Sequence, residues 1–334
     1  MRLFDRLFQE AGEGRFAKAA ALRPLSGLWA AGALLKNELY SRKWLPIQRL
    51  EIPVVSIGGI AAGGSGKTPL VQLLAKSLKP FGEIAILSRG YRAKESGLVL
   101  GDELQMLKNR LGGSLYYAGK QRANLGKKAL KDGARLALLD DGFQYRRLYR
   151  DFDLIVLEAS NPYGYEAFIP RGLLRDSPKE LCRADAVFLN GEGEVDLSFL
   201  TDAPVIRVKP KIRRVLDLEA QRSVSLKGVP IGAFCAIARP KKFFTSLAET
   251  GAECLESWFL ADHAKPDKTH LESFAKRCKR RGAKALVCTE KDAVKLQGIH
   301  LPLPLCYLEI DLEIVSNRGA WESLIEKIAS KMNN

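Results

Sequence analysis

Histidine is scarce in this chain: three occur among 334 residues, His263, His270 and His300, too scattered for an obvious zinc site. The six cysteines form no C-x-x-C arrangement, so they read as reduced core thiols of a cytoplasmic protein rather than as a disulfide or metal framework. No apolar run reaches the ~20 residues that cross a bilayer, the stretch Leu25–Leu35 included. The N-terminal stretch carries acidic residues and lacks a small-residue cleavage pattern, which argues against a signal peptide. Internal repeats and low-complexity segments are also missing. What the chain has is positive charge: 53 Lys and Arg against 38 Asp and Glu, a formal +15. That bias suits a polyanionic partner, whether nucleic acid, acidic membrane or phosphorylated substrate, without choosing among them. The run Lys276–Arg281 reads as a solvated helix end rather than a nucleic-acid site, and no nucleic-acid partner is expected.

Hydrophobic residues make up 46% and charged residues 27%, a globular balance, and the length suits one large or two ordinary domains. Continuous apolar runs such as IPVVSIG, EIAILS, ARLALLDDG, FDLIVLEAS and ADAVFLNG alternate with helical patterns. Runs of that kind predict a mainly parallel sheet covered on both faces. Near Val205 the rhythm turns to alternation without an intervening helix, as in a two-stranded ribbon, and the α/β rhythm then resumes. The expected fold class is therefore α/β: a P-loop NTPase-type α/β/α domain and a second, smaller α/β domain joined by a β-ribbon hinge. The expected boundaries are 1–45 for an N-terminal helical segment, 46–204 for the P-loop domain, 205–226 for the hinge and 227–334 for the second domain.

The stretch VVSIGGIAAGGSGKTPLVQLLA, Val54–Ala75, runs from strand through glycines into a helix. A P-loop reads G-x-x-x-x-G-K-[ST] in that context. Gly66, Lys67 and Thr68 fit, Ala61 stands at the first glycine, and the other glycines have moved to Gly63 and Gly64. Small residues from Ala61 and Ala62 through Ser65 still let backbone N–H groups face phosphate at a helix N-terminus. Lys67 would reach the β/γ-phosphates of a nucleotide and Thr68 would ligate Mg²⁺. RLALLDDG ends a strand with Asp140 and Asp141, the carboxylates expected beside that metal. Partition ATPases carry a lysine where Ala62 stands, which counts against a membrane- or DNA-associated switch ATPase.

GGSGKTP, LSRGY, GDE, LLDDGFQ, PRGLLRD, ADH and TEKDA follow one another between about Ile52 and Val294. In that order they resemble the tetraacyldisaccharide 4'-kinase family, the lipid A kinases of Gram-negative bacteria. The resemblance implies ATP-dependent, Mg²⁺-requiring phosphorylation of the 4'-hydroxyl of a lipid A disaccharide precursor, giving lipid IVA. It also implies work at the cytoplasmic face of the inner membrane, with no obligate protein partner inferred. By matching motif, Asp102 would be a catalytic carboxylate, Glu103 a Mg²⁺ ligand, and His263 the partner that helps orient and deprotonate the sugar hydroxyl. Tyr91, Arg122, Gln144 and Arg171 fall where the family contacts its acceptor. The chain departs from the family pattern at Gly59 (Asn), Tyr145 (His), Ala264 (His) and Arg171 (Ala). Asp102 and His263 lie either side of the expected hinge, so their pairing is expected to need domain closure.

A sugar hydroxyl is a poor nucleophile and needs a base as phosphoryl transfer proceeds, which agrees with that reading. The apolar N-terminal run, with Trp29, Tyr40 and Trp44 and the flanking Arg23, Lys36, Arg42 and Lys43, describes an interfacial helix beside an anionic lipid surface. A kinase of a soluble phosphorylated sugar or nucleoside remains the alternative reading.

Overall fold

The computed structural model describes residues 20–90 and 101–333, which fall into two compact units. The larger holds described residues 20–90, 107–210 and 312–333; the smaller holds 101–106 and 211–311. Residues 101–106 thus group with the C-terminal unit, whereas their sequence position had placed them in the P-loop domain.

The larger unit is built on a parallel sheet ordered β7–β6–β5–β1–β4–β2–β3. The strands are β1 Val54–Gly58, β2 Ile84–Ser88, β3 Leu115–Ala118, β4 Leu136–Asp140, β5 Phe152–Glu158, β6 Ala186–Asn190 and the first half of β7 Val205–Asp217. β1, β4, β5 and β6 are buried along their whole length, as continuous apolar runs demand. Alternate residues serve opposite faces: Val54, Leu87 and Leu139 join one cluster, while Ile155, Leu157, Val187 and Phe143 join the other. β1 lies between β4 and β5, with Ile57 opposite Asp140, so the phosphate loop leaves the sheet beside that carboxylate. Helices of this unit are α1 Arg23–Ser41, α2 Lys67–Leu78, the end of α3 Asp102–Leu111, α4 Arg122–Lys131 and α8 Arg318–Asn333. α2 buries Leu70, Val71, Leu74, Ala75 and Leu78, one helical face, and packs beside α8.

Helix α1 is turned the opposite way from an ordinary amphipathic helix. It buries Ser26, Asn37 and Tyr40 and leaves Leu25, Leu28, Trp29, Leu34 and Leu35 exposed. The buried positions are held by hydrogen bonds: Ser26 Oγ donates to the Phe168 carbonyl (2.7 Å) and Asn37 Nδ2 to Asp176 Oδ1 (2.8 Å). Arg146 donates to the Asn37 carbonyl at 3.1 Å and to Ser41 Oγ at 3.2 Å.

The smaller unit has the order β10–β9–β11–β12–β7, with β8 Ser223–Val224 antiparallel to the second half of β7. Its other strands are β9 Pro230–Cys235, β10 Glu253–Phe259, β11 Ala285–Thr289 and the first half of β12 Leu305–Ser316. α5 Pro240–Glu249 covers Ile231, Ala233 and Val287, and α6 Lys268–Arg280 covers Phe234, Leu286 and Cys288. The short helix α7 Glu290–Ala293 follows β11 directly and starts on Thr289, whose side chain accepts from the Asp292 N–H. The chain passes between the units within α3, β7 and β12.

Candidate active site

The loop after β1 has the features of a phosphate cradle. Gly63 and Gly66 sit at φ +107° and +98°, a region that side chains resist. A Cβ on Gly66 would also lie 2.5 Å from Asn190 Nδ2. Asn190, at the end of β6, donates to the Ser65 carbonyl at 2.8 Å, and the Ala62 N–H donates to the Leu173 carbonyl at 2.7 Å. Those contacts fix the loop from both sides. Helix α2 then starts on Gly66 with no side-chain cap, so its N-terminal N–H groups suit an anion. Ser65 Oγ and Asn190 Oδ1 are buried without a protein hydrogen-bond partner, as groups awaiting a ligand would be.

Lys67 Nζ lies 3.5 Å from Asp141 Oδ1. Asp141, at φ +53°, is gripped on both oxygens by Arg175, at 2.7 and 2.8 Å. Burial opposes ionisation of Asp141, but Arg175 and Lys67 outweigh it and hold the carboxyl far below the usual range. Asp141 is therefore occupied by a guanidinium, whereas Asp140 is buried at the end of β4 next to the loop. Among the described residues no group of three or more His, Cys, Asp or Glu side chains could cage a metal. Mg²⁺ on a nucleotide commonly takes only one or two protein ligands besides phosphate and water, so Asp140 with Thr68 fits it.

Arg122 Nη1 donates to the Asp141 carbonyl (3.1 Å) and its guanidinium stacks 4.2 Å from the Tyr145 ring centroid. Gln144 Nε2 donates to the Gly59 carbonyl (2.9 Å) and to Asp176 Oδ2 (3.0 Å). Arg171 lies in the turn after Pro170, and its N–H donates to the Phe168 carbonyl at 3.0 Å. Tyr91 lies outside the described residues.

The smaller unit carries a second set of groups. His263 Nδ1 is 3.0 Å from Asp102 Oδ2, and Lys291 Nζ is 2.9 Å from His263 Nε2. An ammonium can only donate, so Nε2 accepts, and the ring proton sits at Nδ1 and points at the carboxylate. Lys291 also donates to Glu103 Oε1 at 3.2 Å. Burial works against the Lys291 charge, yet Glu103, Asp262 and Asp102 raise its pKa above the ordinary lysine value. Asp102 is held well below the carboxylate range: burial pushes it up, but the His263 hydrogen bond and the charges of Lys291 and Lys295 win. Asp102 and His263 belong to one compact unit, so their pairing does not wait on closure of two domains as their sequence separation had suggested.

The family model for tetraacyldisaccharide-1-P 4'-kinase, LpxK, matches residues 18–329. The chain belongs to this kinase family. A tetraacyldisaccharide 4'-kinase of Chlamydia abortus is 34% identical over 91% of this chain and 89% of its own length. One from Syntrophus aciditrophicus is 33% identical over 96% of each chain. A crystal structure of LpxK from Aquifex aeolicus in complex with ATP superposes with a TM-score of 0.73 at 27% identity, covering 92% of this chain and 98% of that one. The fold is thus that of the LpxK family, a P-loop-bearing α/β architecture.

Two features of this LpxK-family site escape a reading of sequence alone. Arg175, not the altered Arg171, is the arginine that reaches Asp141; the Arg-Asp pair ending PRGLLRD, which keeps the family's Arg-acidic pattern, was the available signal. Lys291 and Lys295 in TEKDAVK enter the Asp102–His263 cluster, and only the charge of that motif hinted at it.

Proposed function

We propose that this chain transfers the γ-phosphoryl group of Mg²⁺-ATP to the 4'-hydroxyl of a tetraacyldisaccharide 1-phosphate, giving lipid IVA, on the cytoplasmic face of the inner membrane. The loop 61–68 holds the nucleotide phosphates, with Lys67 on the β/γ-phosphates. Thr68 and Asp140 would hold Mg²⁺, which would neutralise phosphate charge, whereas Glu103, the other ligand that the family resemblance implies, is paired with Lys291 in the smaller unit. Arg175 and Lys67 keep Asp141 ionised and fixed beside the loop. Asp102 orients the imidazole through Nδ1–H, which leaves the Nε2 lone pair as the base. As the sugar oxygen bonds to phosphorus and the bond to the ADP oxygen breaks, the hydroxyl proton passes to Nε2, which Lys291 releases. Tyr91, Arg122, Gln144 and Arg171 are proposed to contact the acceptor.

The observation that carries this reading is the Asp102–His263 pair, a buried carboxylate on a half-buried imidazole. A switch ATPase activates water and needs no separate acid–base pair, whereas a sugar hydroxyl does. The lipid character of the acceptor is supported by the outward leucines and tryptophan of α1. No described helix is long and apolar enough to cross a membrane. The test is incubation with γ-labelled ATP and tetraacyldisaccharide 1-phosphate in detergent micelles. Label must appear on the lipid; hydrolysis of ATP without transfer would return the reading to a switch ATPase, and transfer only to soluble sugars would remove the lipid.

A further inference from the structure

Lys295 is the one lysine whose side chain is fully enclosed in this cluster, at 0% exposure. Its ammonium has three donors and three oxygens around it: Asp292 Oδ1 at 3.0 Å, the Ala264 carbonyl at 3.2 Å and Asp102 Oδ2 at 3.6 Å. Asp292, also fully enclosed, is fixed on its other oxygen by the Ala236 N–H (3.0 Å) and Thr289 Oγ1 (2.7 Å). The Ala236 carbonyl in turn accepts from the His263 N–H at 3.0 Å. The contacts close a ring: Lys295, Asp292, Ala236, His263, Asp102 and back to Lys295.

His263 itself sits at φ +62°, in the left-handed region that few non-glycine residues occupy and that costs backbone energy. The Ala264 N–H closes that turn onto the Ala261 carbonyl at 2.9 Å, and Lys295 holds the Ala264 carbonyl from within. Burying an ammonium is costly, and an apolar residue of similar volume commonly serves stability as well or better. A charge kept there is better explained by what it orients.

We infer that Lys295 is the positioning residue of the Asp102–His263 pair: one buried ammonium steadies the carboxylate of the first and the strained turn that presents the second. The inference rests on the pair being the base proposed above. Lys291 does a different job, because it touches Glu103 and the Nε2 face of the ring rather than the turn.

The test is Lys295→Met, which keeps length and removes the charge, scored by single-turnover transfer, by KM for ATP and by melting temperature. Transfer should fall roughly 10- to 100-fold, the range for partners that orient a reacting group, with KM for ATP within about twofold of wild type. In an Asp102→Ala background the same change should cost less than about twofold more, because residues of one unit are non-additive. An equal proportional loss in both backgrounds, or unchanged transfer in the single variant, overturns the inference. Should Lys295→Met fail to fold with Asp292 left uncompensated, Asp292→Asn with Lys295→Met removes both charges together and is scored the same way. Asp102→Ala and His263→Ala are measured first: near-normal transfer in both would remove the pair as the base, a failure distinct from a fault in Lys295.

Discussion

Replacing Leu28 and Leu35 together by glutamine would remove apolar surface from the outer face of α1 while leaving its inner face intact. Leu28 is 70% exposed and Leu35 62%, seven residues apart on one side of the helix. Neither supports the fold, because α1 is anchored through Ser26, Asn37 and Tyr40 on the other side. Complete burial of a leucine is worth roughly 1.5–3 kcal/mol, so seating about two-thirds of each in lipid contributes roughly 2–4 kcal/mol for the pair. Since 1.4 kcal/mol is a factor of ten, the double variant should bind anionic phospholipid vesicles roughly 30- to 1,000-fold more weakly. Glutamine is a good helix former, which keeps propensity out of the comparison. Vesicle co-sedimentation measures the partition, and melting temperature and ATP affinity, both expected unchanged, report on the fold. A partition within about threefold of wild type would refute the reasoning and make the outer face of α1 idle surface.

Lys67→Ala should reduce phosphoryl transfer on the order of a thousandfold, the usual scale for a major charge contact to the transferred phosphate; near-normal single-turnover rates would overturn the P-loop assignment. Asp102→Ala, His263→Ala and their combination should lose similar amounts of kcat with Mg²⁺-ATP affinity retained, since the two act as one unit; multiplicative losses would mean that they act independently. Thiol labelling of the folded chain at pH 8 should modify the exposed Cys182 and Cys254 and spare Cys235, Cys278, Cys288 and Cys306 until denaturant is added. Burial raises those thiols, Cys235 to about 12 and Cys278 and Cys306 to about 11, so each stays protonated and unreactive at that pH. Rapid modification of more than two thiols in the native protein would contradict the packing of the smaller unit.

The strands β1, β4, β5 and β6 were legible because fully buried parallel strands leave unbroken apolar runs, and the loop because glycine, lysine and threonine must follow one another to cradle phosphate. The position of Asp140, though not its role, was legible for a similar reason: it is the charge that ends a buried strand. The edge strand β3 was not, since its four residues are all half-buried and its sequence, LYYA, has no period. The grouping of residues 101–106 with the C-terminal unit was also hidden, because it depends on contacts more than 100 residues away, such as Asp102 with His263. Lys295 shows the limit most plainly. A lysine in the turn three residues after a helical aspartate reads as a surface ion pair, and only packing reveals that both side chains are sealed from water.

Asp176 is fully buried and divides its two oxygens between Asn37 on α1 and Gln144, whose amide nitrogen also holds the Gly59 carbonyl just ahead of the phosphate loop. Trimming the N-terminal helix to obtain a more tractable enzyme would therefore strip a buried carboxylate of one donor, at a cost of about 1–3 kcal/mol, and slacken the approach to the nucleotide. A truncated enzyme that turned over slowly would not say whether it had lost its grip on lipid or the stiffness of its loop. Substitutions confined to the outward face of the helix separate those two causes, and shortening the chain does not.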